Sequence, residues 1–327
     1  MCTAVKAETP QGKVYLGRTM DFSYPLAPEL YIVPKGYEWI PLLHTQKIRN
    51  RYAFMGIGQN ISPIVFADGV NEMGTAGAVL YFPGYAQYVA VQASAPAIAA
   101  LELLTLVLGQ CASLAQVTLL MQNTRLLGVK DAITQSIAPL HWIFADQSGQ
   151  CLVIEKTAAG LQLFDNPLGV LANSPDFGWQ MTNLRNYFAL SPYQSQEQVW
   201  SNLALAPFGQ GAGAIGLPGD YTPPARFVRM AYMKTHTPIP ADEEEAVHTC
   251  FHLLDSVTIP KGVVMTERGS ADYTQYSAFM DLTSQTYFFK TYNNSQITTV
   301  KLTDKLNSQS GMISLGKLCR PSNFECW

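Results

Sequence analysis

Short apolar runs of strand length, separated by clusters of turn residues, dominate the chain. Thr3–Glu8 and Lys13–Met20 flank Thr9-Pro10-Gln11-Gly12, and this spacing predicts a hairpin. Leu140–Ala145 and Cys151–Glu155 flank Asp146-Gln147-Ser148-Gly149 and predict a second. Further strands are expected near Gly160–Phe164, Gly169–Ala172, Gly262–Thr266, Ser277–Asp281 and Thr286–Tyr292, with a turn at Asn71, Glu72 and Gly74. The most apolar stretch, Ala97 to Met121, holds Glu102, Gly109 and Gln110 and is a poor membrane span. It reads instead as two helices. Ile98, Leu101, Thr105 and Leu108 line one face of the first, and Ser113 caps a second that carries Leu114, Val117 and Met121. Another helix starts at Pro240 and Asp242–Glu245, where acidic residues complement the helix dipole, and its apolar stripe is Val247, Cys250, Phe251 and Leu254. Hairpins grouped with helix pairs predict an α+β layered sandwich on antiparallel sheets. Gly209–Gly219 is expected to be a loop that packs closely on a neighbour.

Composition narrows the function classes. Hydrophobic residues make up 48% of the 327 residues and charged residues 14%, which excludes disorder. The net charge of −3 leaves no basic stripe for phosphates, so no nucleic-acid partner is expected. So few charges on so apolar a chain hint at subunit interfaces. Dinucleotide and phosphate-loop glycine motifs are lacking. The six cysteines form no C-x-x-C pair and no zinc-ligand spacing, so no metal is expected. Cys111, Cys151 and Cys250 read as buried or free thiols in a reducing compartment; Cys319 and Cys326 are close enough in the tail to pair under oxidation, a pairing not favoured here. The N-terminus lacks a basic region followed by an apolar run, so a cytoplasmic protein with no membrane partner is expected.

Cys2 carries the most information. A small residue after Met1 permits removal of the methionine, and the chain would then begin with a cysteine bearing both a thiol and a free amine. With a reference pKa of about 7.7–8.0, an α-amine can act as base for its own side chain, and no histidine is needed. If Glu8 faces Lys13 across the first hairpin, Cys2 arrives opposite Arg18–Met20, and Arg18 and Asp21 lie within a few ångströms of the thiol. A nearby cation favours thiolate. Taken alone, Cys2 also fits an ordinary processed N-terminus, and Arg18 with Asp21 a strand-end ion pair. The five histidines fit a core or surface role, His141 included.

The opening MCTAVKAETPQGKVYLGRTMDF resembles the start of the choloylglycine hydrolase family, which includes conjugated bile salt hydrolases and penicillin V acylases. Similar segments follow in family order: FADGVNEMGTAGAVLYFPGYA (Phe66–Ala86), PLHWIFADQSG (Pro139–Gly149), LANSPDF (Leu171–Phe177), FGQGAGAIGLPGDYTPPARFVR (Phe208–Arg229), TIPKG (Thr258–Gly262) and DYTQYS (Asp272–Ser277). The resemblance implies an N-terminal nucleophile hydrolase: a four-layer αββα sandwich with two antiparallel sheets, one domain over residues 2–327 with Met1 removed. It makes Cys2 the nucleophile, with Arg18, Asp21 and Arg226 as charged residues around it. Asn173 matches the oxyanion-hole asparagine, and the Tyr81 backbone N–H the second donor. It implies a small-molecule amide substrate, no cofactor and a homotetramer. Met20, Phe22, Tyr24, Phe82, Ile133 and Ile137 are candidates to line an apolar acyl cleft. Tyr81 stands where penicillin V acylases carry tyrosine and bile salt hydrolases typically carry asparagine. The resemblance therefore points to penicillin V hydrolysis, with bile salt hydrolysis or N-acyl homoserine lactone cleavage as alternatives.

Overall fold

A computed structural model describes residues 1–43, 47–88, 96–131, 134–303 and 311–322. The strands of its two large sheets, in chain order, are β1 (Cys2–Glu8), β2 (Val14–Phe22), β3 (Glu29–Val33), β4 (Phe54–Asn60), β5 (Ile64–Asn71), β6 (Ala76–Tyr81), β7 (Leu140–Ala145), β8 (Cys151–Thr157), β9 (Gly160–Asp165), β10 (Val170–Leu171), β11 (Tyr273–Asp281), β12 (Thr286–Thr291), β13 (Asn294–Lys301) and β14 (Ile313–Lys317). One sheet runs β10-β1-β2-β11-β12-β13, and the other β9-β8-β7-β6-β5-β4-β3-β14. The paired neighbours are antiparallel throughout both sheets.

The first hairpin forms as its turn residues dictate. Gly12 takes φ +82°, which only glycine adopts without strain, and its N–H donates to Thr9 O at 2.9 Å. Glu8 pairs with Val14 rather than Lys13, so the ladder ends with Cys2 opposite Met20. Both strands are buried nearly end to end, because the sheet is covered on both faces. One core lies between the sheets: Ala4, Met20, Tyr276 and Ala278 from one meet Met55, Val70, Ala78 and Ile143 from the other, in a cluster that extends to Phe227, Cys250 and Leu254 of the helices. A second core joins Phe54, Phe66, Trp142 and Phe144 to helices α1 (Leu103–Gln110) and α2 (Leu114–Asn123). Helix α3 (Phe177–Asn183) follows β10, and α4 (Pro223–His236) and α5 (Glu243–Asp255) pack on the six-stranded sheet. The layers are thus α, β, β, α, as the resemblance implied.

The predicted Ser113 cap of α2 forms, and α5 starts at the acidic run as expected, with the Asp242 carboxylate accepting from Glu245 N at 3.0 Å; its stripe Val247, Cys250, Phe251 and Leu254 is buried. The second hairpin and the Asn71–Gly74 turn also form. Three expectations are corrected. Residues Ala97–Ala99 are a short strand paired in parallel with Arg125–Leu127, so the first helix begins later than its apolar spacing suggests and Ile98 is not part of it. Gly262–Thr266 is not a strand: turns at Pro260–Val263 and Thr266–Gly269 crowd it, leaving one isolated bridge, Met265 to Ala271. In the Gly209–Gly219 loop only Gly213 packs closely, on the Ser191 and Tyr193 carbonyls; Gly209, Gly211, Gly216 and Gly219 lie in open space.

Candidate active site

The register of the first hairpin decides where each charge falls. Cys2, Arg18 and Met20 share the face of the sheet that looks across to the other sheet, and Thr3, Thr19 and Asp21 point the opposite way, since side chains alternate along a strand. Arg18 is fully buried, and each of its nitrogens has an acceptor. Nε donates to Thr19 O at 2.9 Å. Nη1 reaches Ala67 O and Asp68 Oδ2, both at 3.2 Å. Nη2 donates to Cys2 Sγ at 2.7 Å and approaches Met20 Sδ at 3.6 Å. Burial opposes the guanidinium charge, but Cys2, Tyr276 and Asp68 together hold it above the ordinary arginine range.

Arg226 brackets the same residue from the other side. Thr222 caps α4 and Pro223 sits in its first turn, which aims the buried Arg226 inward. Its Nη1 donates to Cys2 O at 2.6 Å and to Thr3 Oγ1, and its Nη2 to Asn173 Oδ1 at 2.8 Å. Asn173 arrives because β10 pairs along β1, Leu171 opposite Ala4, and the chain then passes the N-terminus. Asn173 Oδ1 accepts from Cys2 N at 2.8 Å and its Nδ2 donates to Tyr81 O at 2.6 Å. Asp21, in contrast, points to the other face of the strand from Arg18. Its carbonyl accepts from the Met1 ammonium at 2.7 Å, and its carboxylate accepts from Thr274 Oγ1 at 2.6 Å and lies 3.8 Å from Arg226. Burial raises the Asp21 carboxyl above the usual range, opposed by Arg226, the N-terminal charge and the Thr274 bond.

Sequence reading missed Asp68. This fully buried carboxylate accepts from Arg18, from Tyr276 OH at 2.6 Å and from Tyr287 OH. Burial and then the Asp68 charge push both phenols well up, so they remain donors. The readable signal was a lone acid in the apolar run IVFADGV. Gln275 was missed as well: it sits at a bulge opposite β2 and binds Phe22 O, Tyr24 O and Leu26 N, tying down the segment that follows β2. Burial raises the Cys111 and Cys151 thiols to about 12, and the Cys250 thiol further.

Of the cleft candidates, Met20 touches Arg18, and Phe22 packs edge-on to Tyr24, with ring centroids 4.7 Å apart. Tyr24, Tyr81 and Ile137 are exposed. The Tyr24 hydroxyl is raised by burial first and then by Asp131, with Arg268 opposing and Tyr81 adding, which puts these groups on one rim. Phe82 has no exposed surface; it stacks on His141 at 4.3 Å and cannot line an open cleft in this arrangement. Ile133 and Cys326 lie outside the described residues.

A family model, linear amide C–N hydrolases of the choloylglycine hydrolase family, matches residues 2–314. The chain belongs to that family. It is a linear amide C–N hydrolase. A bile salt hydrolase/transferase of Lactiplantibacillus plantarum is 34% identical over 315 residues, 96% of either chain. The crystal structure of the mutant C2A conjugated bile acid hydrolase from Clostridium perfringens superposes with a TM-score of 0.91 at 30% identity, covering 100% of this chain and 99% of that one. A penicillin V acylase from Agrobacterium tumefaciens has the same fold, with a TM-score of 0.81 at 19% identity over 98% of this chain and 94% of its own. Among the described residues no helix is long and apolar enough to cross a membrane.

Asp68→Asn is expected to cost about 3–5 kcal/mol of stability, because Arg18 would stay buried without its counter-charge. Tyr276→Phe, which removes one of several donors to the Asp68 carboxylate, should cost about 1.5–3 kcal/mol. Urea midpoints at constant m measure both; equal losses would show that the ion pair does not dominate this cluster.

Proposed function

We propose that the family member described here hydrolyses conjugated bile salts, with Cys2 as an N-terminal nucleophile exposed by loss of Met1 and residues 2–327 acting as one domain. The 2.7 Å contact from Arg18 to the Cys2 sulfur carries this reading, since it supplies a partner for a negative sulfur inside the fold. With Met1 in place the Cys2 nitrogen is an amide; loss of Met1 leaves an amine beside Asn173 Oδ1. The amine takes the thiol proton and the sulfur attacks the substrate carbonyl. The second N–H of Asn173 Nδ2 and the Tyr81 backbone N–H meet the developing oxyanion, a term worth a factor of about 10²–10³ per donor in comparable sites. The amine returns the proton to the leaving nitrogen, the C–N bond breaks, and a Cys2 thioester remains. Water, deprotonated by the same amine, hydrolyses it.

The bile salt reading is supported by full-length relatives named as bile salt or bile acid hydrolases at 30% identity or more. One observation favours penicillin V instead: Tyr81 stands on the exposed rim and offers an aromatic face to a flat ring.

Cys2→Ser should fold as the parent does and lose more than nine-tenths of its turnover, a barrier change above about 1.4 kcal/mol. A verified Ala-Cys N-terminus should be equally inactive, because an amide nitrogen is no base. Full activity in that extended protein, checked by intact mass, would sink the terminal-amine mechanism.

Side-by-side kcat/KM on glycocholate, taurocholate and penicillin V tests the substrate. The conjugated bile salts are expected to be cleaved faster, and Tyr81→Asn should widen the ratio in their favour by less than about 200-fold, the reach of one pocket contact. Penicillin V ahead by tenfold would transfer the function to the acylase reading.

The resemblance to a homotetrameric family has its own support in residues 184–217. This arm presents Phe188, Tyr193, Trp200, Phe208 and Ile215 to solvent, Phe188 at 88% exposure, with Trp200 carried on the hairpin of Gln198–Trp200 and Leu203–Leu205. Large apolar side chains concentrated in one arm support a contact surface, with a second copy of the chain as its occupant. Sedimentation should give a mass several times 35.9 kDa, and Trp200→Asp with Phe188→Asp should lower it; an unchanged monomer in both would remove the proposal.

A further inference from the structure

We infer that His141 and Glu155 form a buried clamp that positions the oxyanion arm, acting on Asn173 without touching the substrate. This rests on the reading of Asn173 as an oxyanion donor. His141 lies on β7 and Glu155 on β8, one step beyond the Trp142–Ile154 pair, and both side chains are fully buried. His141 Nδ1 lies 3.0 Å from Glu155 Oε1, and Nε2 lies 2.9 Å from Ala172 O. A carbonyl only accepts, so Nε2 is the donor there, and one proton is shared between Nδ1 and Glu155 whichever of them owns it. The Glu155 carboxylate also accepts from Phe177 N at 3.1 and 3.2 Å. The pair therefore grips the chain at the residue before Asn173 and again four residues after it.

It also reaches the other wall. The His141 ring stacks on Phe82 at 4.3 Å with an interplanar angle of 6°. Phe82 directly follows Tyr81, whose carbonyl receives the Asn173 amide. The Ser174 hydroxyl donates to Pro83 O at 2.6 Å, so arm and wall are joined on both sides of Asn173. Neither His141 nor Glu155 contacts Cys2, Arg18 or Asp21 in any described bond. A buried ionisable pair costs more to keep than apolar side chains of the same volume would. Its partners are all backbone groups or rings of the two segments that make the oxyanion site, which is what a positioning role requires.

The test measures kcat, KM and the rate of iodoacetamide labelling at Cys2 for His141→Gln and Glu155→Gln, each alone and combined with Asn173→Ala. Each clamp variant should lower kcat by about 10–100-fold, the penalty of a slightly misplaced group, leave KM within about 2-fold, and leave Cys2 labelling unchanged. In the Asn173→Ala background the same variants should cost less than about 2-fold, since they act through the residue already removed. Clamp losses that multiply with Asn173→Ala, or that slow Cys2 labelling in parallel, would overturn the inference. If Asn173→Ala itself leaves kcat intact, the oxyanion reading fails instead. Should His141→Gln not fold, Phe82→Leu loosens the same ring stack and must show the same pattern.

Discussion

A guanidinium with no access to water, held between two sheets, is the constraint on which this structure turns. Arg18 could not remain charged there unless its donors were met, since an unpaired buried charge costs several kcal/mol. They are met from both sheets at once: Thr19 O and Cys2 Sγ on its own, Ala67 O and Asp68 on the other. The arginine therefore ties the two sheets together and fixes the position of the Cys2 sulfur in one step. Tyr276 and Tyr287 close the far side of Asp68, so the sulfur's partner is itself anchored by side chains of two further strands.

A second buried arginine completes the bracket, and the division of labour follows from the alternation of side chains. Arg18 meets the side chain of Cys2, and Arg226 meets its carbonyl. Asn173 accepts from Arg226 Nη2 and from Cys2 N through one oxygen, which fixes the amide so that its nitrogen points to the Tyr81 side. Hydrogen bonds to charged donors hold more firmly than neutral ones. The asparagine is thus oriented by a charge that never needs to move during turnover.

What the sequence made legible is what local chemistry determines. Turn residues at Thr9–Gly12 gave the hairpin, and the hairpin gave the pairing of Cys2 with Met20 to within one residue. Asp21 was misplaced relative to the sulfur because proximity along a strand was read without its parity: Arg18 and Asp21 differ by three residues and so face opposite ways. Asp68 was overlooked because its partners lie 50 and more than 200 residues away, beyond any spacing rule. Helix α4 was legible and passed over, since Thr222 before Pro223-Pro224 is a helix-start signal. Phe82 was a cleft candidate from its place in a segment resembling the family, but its ring serves a buried stack. The strand expected at Gly262–Thr266 shows the same limit, as apolar residues alone do not supply a neighbour to pair with.

The chemistry of this site also explains why the substrate is harder to read than the reaction. The side chains of Cys2, Arg18, Asp21, Asn173 and Arg226 are buried and held by directional bonds, so any change there is costly. The rim is different. Tyr24, Tyr81 and Ile137 are exposed, and Gln275 holds the Phe22–Leu26 segment through backbone atoms alone, which leaves its side chains open to change without disturbing the fold. Apolar pockets discriminate by only about 1–3 kcal/mol per methylene. On the proposed reading, acyl selectivity is spread over several weakly constrained side chains, whereas amide cleavage rests on a few strongly constrained ones, and a single rim residue such as Tyr81 biases the choice of acyl group without determining it.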